Sequence, residues 1–235
     1  MPSLKSTQAY LERHHGGDGK LAAQRTLESH QRNHDEVFQA FWNQHVVLSN
    51  DAECHIVDLG CGPGLFLQDL HQRYPQATLT GVECAPYMLD QVPDLPEAIN
   101  IQVADLNLDL PDLFPTNSID IAVANRLVHE LHQPVSLFRN LQHWLKPGGV
   151  FVLVLVDMVR QPLKSYVSHE LKGTNLNDPQ LTDKTLEDLF IHFLEHNRYH
   201  VDDLVDLLTL CEFKILAVEP IRSGRAVQIA VQKSE

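Results

Sequence analysis

The most constraining feature of this sequence is a short apolar run that leads directly into a glycine-rich turn and then into a helical segment. The run Ile56-Val57-Asp58-Leu59 is typical of a buried strand, and the chain continues as Gly60-Cys61-Gly62-Pro63-Gly64. Glycines at alternate positions let a ligand approach the main chain without meeting a Cβ atom. The start of the next helix offers N–H groups without intrahelical partners. This order of elements predicts a ligand-binding crossover in an α/β sheet.

The rest of the chain repeats this alternation of short apolar runs and amphipathic helices. Further strands are predicted at 77–82, 99–105, 119–125, 150–156, 213–218 and 226–232. Helices are predicted between them at 65–74, 87–92, 134–145 and 201–211. Strands separated by helices imply parallel crossovers, with helices covering both faces of one sheet. The last two strands are joined by a short link, so we expect them to pair antiparallel.

Two segments stand outside this alternation and divide the chain. Residues 1–50 are polar and rich in His and Gln, and they predict an N-terminal helical lid: a short helix, a turn, and one or two further helices. Residues 51–235 form the predicted core. Within that core, residues 157–199 are a predicted insertion on the substrate side, because connections of this length are disproportionately functional.

Charge and composition restrict the partners. The chain has 18 Lys and Arg against 31 Asp and Glu, a formal net charge of −13. Such a surface opposes phosphate neutralisation, which argues against DNA and makes RNA an unfavourable partner. The longest apolar run, Val150 to Val156, is far shorter than the roughly 20 residues of a membrane span. Four scattered cysteines favour a reducing, cytoplasmic setting, and the opening segment does not resemble a secretory signal.

Two carboxylates stand where the second and third predicted strands end. Glu83 follows the last glycine by about twenty residues, the position at which a carboxylate can accept both hydroxyls of a ribose. Asp105 stands where a carboxylate could accept a hydrogen bond from an adenine amine. The glycine spacing departs from the dinucleotide fingerprint, which wants a small residue at Leu65, and no phosphate-loop Lys follows. A ligand with a carboxylate and a cation fits better, and an NAD-dependent enzyme is the competing interpretation.

Taken together, these residues resemble the class I, S-adenosylmethionine-dependent methyltransferases. The resemblance covers about residues 54–156 and more loosely 200–233, and it extends to the turn Leu145-Lys146-Pro147-Gly148-Gly149. It implies a doubly wound, Rossmann-like sheet of seven mostly parallel strands, the last one antiparallel. It also implies S-adenosylmethionine as cofactor, with its methionine part on the glycine loop. The implied cofactor-binding residues are Asp58, Gly60, Cys61, Gly62, Gly64, Glu83, Cys84, Met88, Asp105, Leu106, Asn125 and Arg126.

Methyl transfer requires mainly alignment of the acceptor and exclusion of water, and a general base only when the acceptor must lose a proton. His129 and Glu130 follow the fourth strand and are the predicted catalytic pair, although His129 could simply cap its loop. No metal is expected, because His14-His15 lacks a carboxylate or thiol at a matching spacing. The predicted substrate-side residues are Tyr10, His14, His34, Tyr166 and Tyr199.

The sequence therefore predicts a methyltransferase that acts on a hydroxyl, carboxylate or amine of a small molecule. The family's Asn/Asp-Pro-Pro-aromatic tetrapeptide is absent after the fourth strand, which argues against methylation of nucleobase or glutamine amides. A protein or RNA acceptor is one alternative, and a catalytically silent cofactor-binding interaction protein is another. An exposed Phe/Trp face on the first helices would permit a homodimer.

Overall fold

The computed structural model describes residues 3–15, 17–49, 51–156 and 199–235. The chain opens with three helices, α1 (Leu4–His14), α2 (Gly19–Asn33) and α3 (Glu36–His45). Each begins after a side chain that accepts main-chain N–H hydrogen bonds, namely Ser3, Asp18 and Asp35. Such caps satisfy donors that a helix start leaves without partners, which is why the polar N-terminal sequence still forms helices.

A seven-stranded sheet follows, as the sequence predicts. Its strands are β1 (His55–Leu59), β2 (Thr78–Glu83), β3 (Ile99–Val103), β4 (Ile119–Asn125), β5 (Leu145–Val156), β6 (Phe213–Ile221) and β7 (Ala226–Lys233). The further helices are α4 (Leu65–Arg73), α5 (Pro86–Leu89), α6 (Pro134–Trp144) and α7 (Val201–Leu210). The strand order is β3-β2-β1-β4-β5-β7-β6, with β7 antiparallel to both of its neighbours. The doubly wound, Rossmann-like arrangement is confirmed.

The two faces of the sheet carry separate apolar layers. On one face, Phe138 and Trp144 of α6 pack with Phe151 of β5. On the other, Phe38, Phe41 and Trp42 of α3 pack against residues of α4 and the sheet, and each is at most 2% exposed. Burying a side chain of this size stabilises the fold by about 1.5–3 kcal/mol, so these aromatic rings turn inward. The predicted exposed Phe/Trp face is therefore wrong, and the homodimer loses the observation on which it rested.

The start of β5 also differs from the prediction. The sequence predicts a turn at 146–149 before the strand, whereas β5 already begins at Leu145, which pairs with Ile119. The next pair is Ile121 with Val150, so the intervening residues bulge out of the ladder. Gly148, with a φ of 76°, permits this bulge. Residues 146–149, which were predicted to form a turn before the strand, therefore lie within β5.

The register at the centre of the sheet positions the glycine turn. Leu59 is paired with Val82 in the parallel ladder of β1 and β2, so the turn begins beside the end of β2. Most of the predicted insertion at 157–199, with Tyr166, lies outside the described residues. None of the helices in the described ranges combines the length and the apolarity that a bilayer crossing requires.

Candidate functional site

The glycine turn and the end of β2 are joined through one carboxylate. The Gly62 N–H donates to Oε2 of Glu83 at 3.0 Å. The N–H groups of Cys84 and Ala85 donate to Oε1 of the same side chain at 2.7 and 2.8 Å. Three main-chain donors therefore hold Glu83 at the carboxyl edge of the sheet, beside the glycine loop, where the sequence predicts it.

The loop itself requires glycine at its first position. Gly60 has a φ of 71°, and a Cβ placed there would lie 3.0 Å from the Leu127 side chain. Its N–H donates to the Val82 carbonyl at 2.8 Å, which fixes the loop to β2. The loop thus combines a left-handed backbone with a close approach, and both favour a residue without a side chain.

A second carboxylate lies close to Glu83 and is fully buried. Asp58 is 4% exposed, and burial together with the charge of Glu83 raises its pKa to about 8. Burial also raises the pKa of Glu83, although main-chain hydrogen bonds and His15 act in the opposite direction. Two buried carboxylates this close together are costly to ionise at the same time. This site is therefore electrostatically suited to a ligand that carries positive charge.

The end of β4 offers a further polar group to this edge. The Nδ2 of Asn125 donates to the main-chain oxygen of Asn33, the last residue of α2, at 3.0 Å. Its Oδ1 is buried and has no hydrogen-bond partner among the described residues. A buried acceptor without a partner is uncommon in folded proteins and calls for an explanation. An ammonium group of a bound ligand would supply the missing donor.

Asp105 is engaged by the N-terminal helices. Thr7 of α1 donates its hydroxyl to Oδ2 of Asp105, and the main-chain N–H and side-chain amide of Asn107 donate to Oδ1. Asp105 is 3% exposed, and Leu106 beside it packs in the sheet core. The carboxylate therefore lies where the sequence predicts it, with α1 bound to it.

Helices α1 and α2 extend over the same edge, and together we call them the N-terminal cover. Met88 packs with Leu11 of α1 and with Ala22 and Ala23 of α2. The Tyr87 hydroxyl lies 2.6 Å from Nδ1 of His15, at the end of α1. The cover thus contacts Met88, one of the implied cofactor-binding residues, and its neighbour Tyr87.

Three histidines surround one buried carboxylate below the cover. Nε2 of His14 lies 3.2 Å from Glu130, that of His129 lies 3.5 Å away and that of His15 lies 3.6 Å away. Burial opposes ionisation of Glu130, but the three imidazole rings beside it hold its pKa well below the usual range. The ligand atoms of His14, His15 and Glu130 lie within 4.8 Å of one another, so folding supplies the carboxylate that the sequence spacing lacked.

Of the other predicted substrate-side residues, Tyr10 adjoins the histidine cluster, whereas His34 and Tyr199 contact other parts of the protein. Tyr10 stacks on His14, with ring centroids 5.6 Å apart, so it adjoins the histidine cluster. His34 instead stacks on Phe66 of α4 at 4.4 Å, and burial lowers its pKa to about 4. The Tyr199 hydroxyl donates to the Leu131 carbonyl at 2.6 Å. Substrate contact by these residues stays a prediction, and His34 and Tyr199 also have structural partners that explain their positions.

Sequence reasoning did not identify Thr7 and Asn33 as members of the site. Thr7 meets Asp105 across a separation of 98 residues, and Asn33 meets Asn125 across 92. Neither residue belongs to a motif, and a contact between distant segments leaves no periodic pattern in the sequence. The general prediction of an N-terminal lid was the one signal that pointed towards them.

Comparisons with known proteins agree with this geometry. Residues 57–153 match the family model described as a methyltransferase domain. Trans-aconitate 2-methyltransferase of Acidovorax sp. (strain JS42) is 35% identical over 125 residues, which are 53% of this chain and 45% of that protein. The chain therefore spans about half the length of the curated relatives that it matches.

Solved structures share the fold at low sequence identity. Phosphoethanolamine N-methyltransferase 2 of Haemonchus contortus aligns over 100% of this chain and 61% of its own, with a TM-score of 0.69 and 11% identity. An S-adenosylmethionine-dependent methyltransferase from Mesorhizobium loti aligns over 86% of this chain and 98% of its own, with a TM-score of 0.61 and 20% identity. At these identities the likeness establishes the fold alone.

The residues of this site fit the cofactor that the family uses. S-adenosylmethionine carries a sulfonium and an ammonium, which suit the buried carboxylate of Asp58 and the free acceptor of Asn125. Glu83 lies at the end of β2 and Asp105 follows β3, the positions from which the sequence predicts contacts with a ribose and an adenine amine. The matching domain model over residues 57–153 and the shared fold support the resemblance of this chain to the class I, S-adenosylmethionine-dependent methyltransferases.

Proposed function

We propose that this protein transfers the methyl group of S-adenosylmethionine to a small-molecule acceptor. The observation that carries the proposal is the N-terminal cover, which lies against the predicted cofactor residues at the carboxyl edge. Thr7 bonds Asp105, and Asn33 accepts from Asn125. A group attached to a macromolecule would have to pass these helices, whereas a metabolite can be enclosed beneath them.

Two further findings support a small acceptor. Several of the matching curated relatives are trans-aconitate 2-methyltransferases, whose name states a small-molecule substrate. The net charge of −13 disfavours an RNA acceptor, because nucleic-acid binding draws on phosphate neutralisation. The acceptor of this chain is proposed on these grounds and on the cover, since the alignment spans under half of the relatives.

The residues of the edge have separate tasks in this proposal. Glu83 would hold the ribose, Asp105 the adenine amine, and Asp58 and Asn125 the cationic methionine end. When bound, the cofactor supplies an electrophilic methyl group for in-line attack by the acceptor. The protein contributes alignment and exclusion of water, which lower the barrier without a covalent intermediate on the chain. The N-terminal cover, which lies over this edge, would take part in both.

His129 and Glu130 would control the proton of the acceptor. His129 is 2% exposed, and its Nε2 lies 3.5 Å from the Glu130 carboxylate. An ionised carboxylate beside an imidazole orients the ring and stabilises its protonated form. We therefore propose His129 as the base that takes the acceptor proton, with Glu130 as its positioning partner.

Incubation with methyl-labelled S-adenosylmethionine and a metabolite extract, followed by fractionation by size, tests the proposal. We expect label in the small-molecule fraction and none in protein or RNA. His129→Gln should slow turnover by about 100-fold or more, the usual contribution of a general base, and leave the dissociation constant of S-adenosylhomocysteine unchanged. His143→Gln, a substitution on the exposed side of α6, is the matched control.

Each other outcome contradicts a distinct part of the proposal. Label in macromolecules would overturn the small acceptor and leave the methyltransferase activity. Binding of the cofactor without transfer to any fraction would support a silent binding protein. Normal turnover in His129→Gln would show that His129 is not the base, and it would support the alternative that His129 only caps its loop.

A further inference from the structure

Arginine side chains from separate elements converge beside the end of β4. Nη1 of Arg126, which directly follows β4, donates to Oδ1 of Asn33 at 3.3 Å. Nη2 of Arg222, in the link between β6 and β7, donates to the same oxygen at 3.4 Å and to the main-chain oxygen of Arg32 at 3.2 Å. Two guanidinium groups thus share one neutral amide oxygen.

This arginine cluster, Arg32, Arg126 and Arg222, has no ion pair with any carboxylate in the part of the chain that the structure describes. Burial lowers the pKa of Arg222, repulsion from Arg126 and Arg32 adds to this, and Asp35 opposes it. However, Oδ1 of Asp35 already accepts from two N–H groups at the start of α3. In a protein with net charge −13, three cations gathered without a bound acid are well placed to receive an anion.

Arg126 and Arg222 share an unusual backbone conformation. Arg126 has a φ of 66° and Arg222 a φ of 50°, both in the left-handed region that glycine favours. This conformation is unfavourable for a residue with a side chain, and such strain is found more often at functional sites. The two arginines that meet on the Asn33 oxygen therefore share a left-handed backbone conformation.

The cluster also adjoins the proposed reaction site. Arg126 follows Asn125, whose buried Oδ1 has no described partner and whose Nδ2 bonds Asn33. Asn33 therefore connects the cofactor side of β4 to both guanidinium groups. A ligand group that replaced the Asn33 oxygen would therefore lie beside Asn125, at the end of β4.

We propose that Arg126 and Arg222 form a binding site for an anionic group, a carboxylate or a phosphate, of the methyl acceptor. The inference rests on the proposed function and names the chemical class of its substrate. Guanidinium groups bind such oxyanions through paired, charge-assisted hydrogen bonds, which a neutral amide oxygen matches poorly. An acceptor with this anchor would be held at one end while its reactive atom faces the methyl group.

Calorimetric titration of the full chain saturated with S-adenosylhomocysteine tests this site. Citrate serves as the carboxylate probe, glycerol 3-phosphate as the phosphate probe and glycerol as the uncharged control. We expect one of the two anions to bind and glycerol not to bind. Arg222→Gln should weaken anion binding by about tenfold or more, as expected for loss of a charge-assisted hydrogen bond.

Matched variants separate this site from general charge effects. Arg25→Gln removes the same charge from an exposed position of α2 and should leave anion affinity unchanged. Arg126→Gln should reproduce the loss seen in Arg222→Gln, and Arg222→Lys should restore only part of it, because Lys lacks the paired donor geometry.

The outcomes distinguish this inference from the proposed function. Binding of S-adenosylhomocysteine is measured first, and its absence in a folded protein would overturn the proposed function. If it binds but neither anion does, or if Arg222→Gln binds anions normally, the anion site is wrong. If Arg222→Gln weakens S-adenosylhomocysteine itself, the cluster holds the cofactor's own carboxylate, which would also overturn the inference.

Discussion

Asp58 is the residue whose charge depends most directly on what occupies the site. Its pKa of about 8 means that the carboxyl is largely protonated at pH 7 in the free protein, because burial and Glu83 disfavour its charge. A cationic ligand would lower that pKa, so binding would release a proton. Proton release upon binding makes affinity rise with pH until Asp58 is ionised in the free protein as well.

We therefore expect S-adenosylhomocysteine to bind more tightly as the pH rises from 6 to 8, by up to about tenfold per pH unit, and then to level off. Titration calorimetry in buffers of different ionisation enthalpy would measure both the affinity and the proton released. Asp58→Asn cannot ionise and should abolish the pH dependence. A pH-independent affinity in the unmodified protein would remove Asp58 from the cofactor site.

Glu83 should contribute directly to cofactor affinity. In Glu83→Ala the ribose would lose its acceptor and the Gly62 N–H would lose its partner, so binding should weaken by about 1–3 kcal/mol. Equilibrium binding of S-adenosylhomocysteine measures this loss. Glu97→Ala, at an exposed position, is the control for removal of one negative charge. Equal affinities in the two variants would contradict the ribose role.

His34 should affect stability rather than binding. Its pKa of about 4 means that the ring stays neutral in the folded protein while it gains a proton in the unfolded chain below pH 6.5. Its contribution is therefore complete above about pH 6.5 and is lost as the pH falls towards 4, by about 2 kcal/mol between pH 7 and pH 5. Urea unfolding at both pH values should show a smaller loss in His34→Phe, which keeps a ring against Phe66. An unchanged loss would contradict this assignment.

At the residue scale, the sequence predicted where the carboxylates of the candidate site lie better than it predicted which side chains contact them. Glu83 and Asp105 were predictable because strand ends of a parallel sheet share one edge. The contacts of Thr7 with Asp105 and of Asn33 with Arg222 were not, since they join segments far apart in the chain. The stacking of His34 on Phe66 was not predictable either, because a histidine at the end of a polar helix gives no sign of the ring that it will meet.

At the scale of elements, we expect Thr7 of the cover and the adenine amine of the cofactor to compete for the Asp105 carboxylate. Thr7 of α1 donates to Asp105, the group that the family uses for the adenine amine. Thr7→Val should loosen α1 and speed association of S-adenosylhomocysteine by about threefold to tenfold, the equivalent of one net hydrogen bond. Stopped-flow fluorescence measures the rate.

The control for this prediction is Thr209→Val, which changes an exposed threonine of α7. It should leave the association rate unchanged. Slower association in Thr7→Val would show that α1 must be docked on Asp105 before the cofactor binds. That result would contradict the competition and make the contact part of the binding-competent state.

The predicted bounds of helices and strands agree with the structure where the local sequence pattern alone determines them. The predicted fourth strand, 119–125, coincides with β4 because an apolar run between turn residues has one clear solution. The start of β5 did not, because the pairing of Leu145 with Ile119 depends on a neighbouring strand and not on the local Lys-Pro-Gly-Gly sequence. Aromatic side chains of α3 were misassigned to the surface for a similar reason, since the helix alone does not reveal what covers it.

For the whole molecule, fold class and cofactor type were within reach of the sequence. Alternating strands and helices determined the parallel sheet, and the glycine turn with two carboxylates determined the ligand edge. The overall charge of −13 gave no sign of the local arginine cluster, because Arg32, Arg126 and Arg222 come together only in the folded chain. Net charge describes the average surface, whereas substrate recognition depends on the local one.

A crystal structure with S-adenosylhomocysteine tests the central claim most directly. The ligand should lie between the glycine loop and the N-terminal cover, with its ribose hydroxyls on Glu83 and its ammonium within hydrogen-bond distance of Asn125. An edge that stays closed by α1, or a ligand bound anywhere else on the protein, would contradict the account.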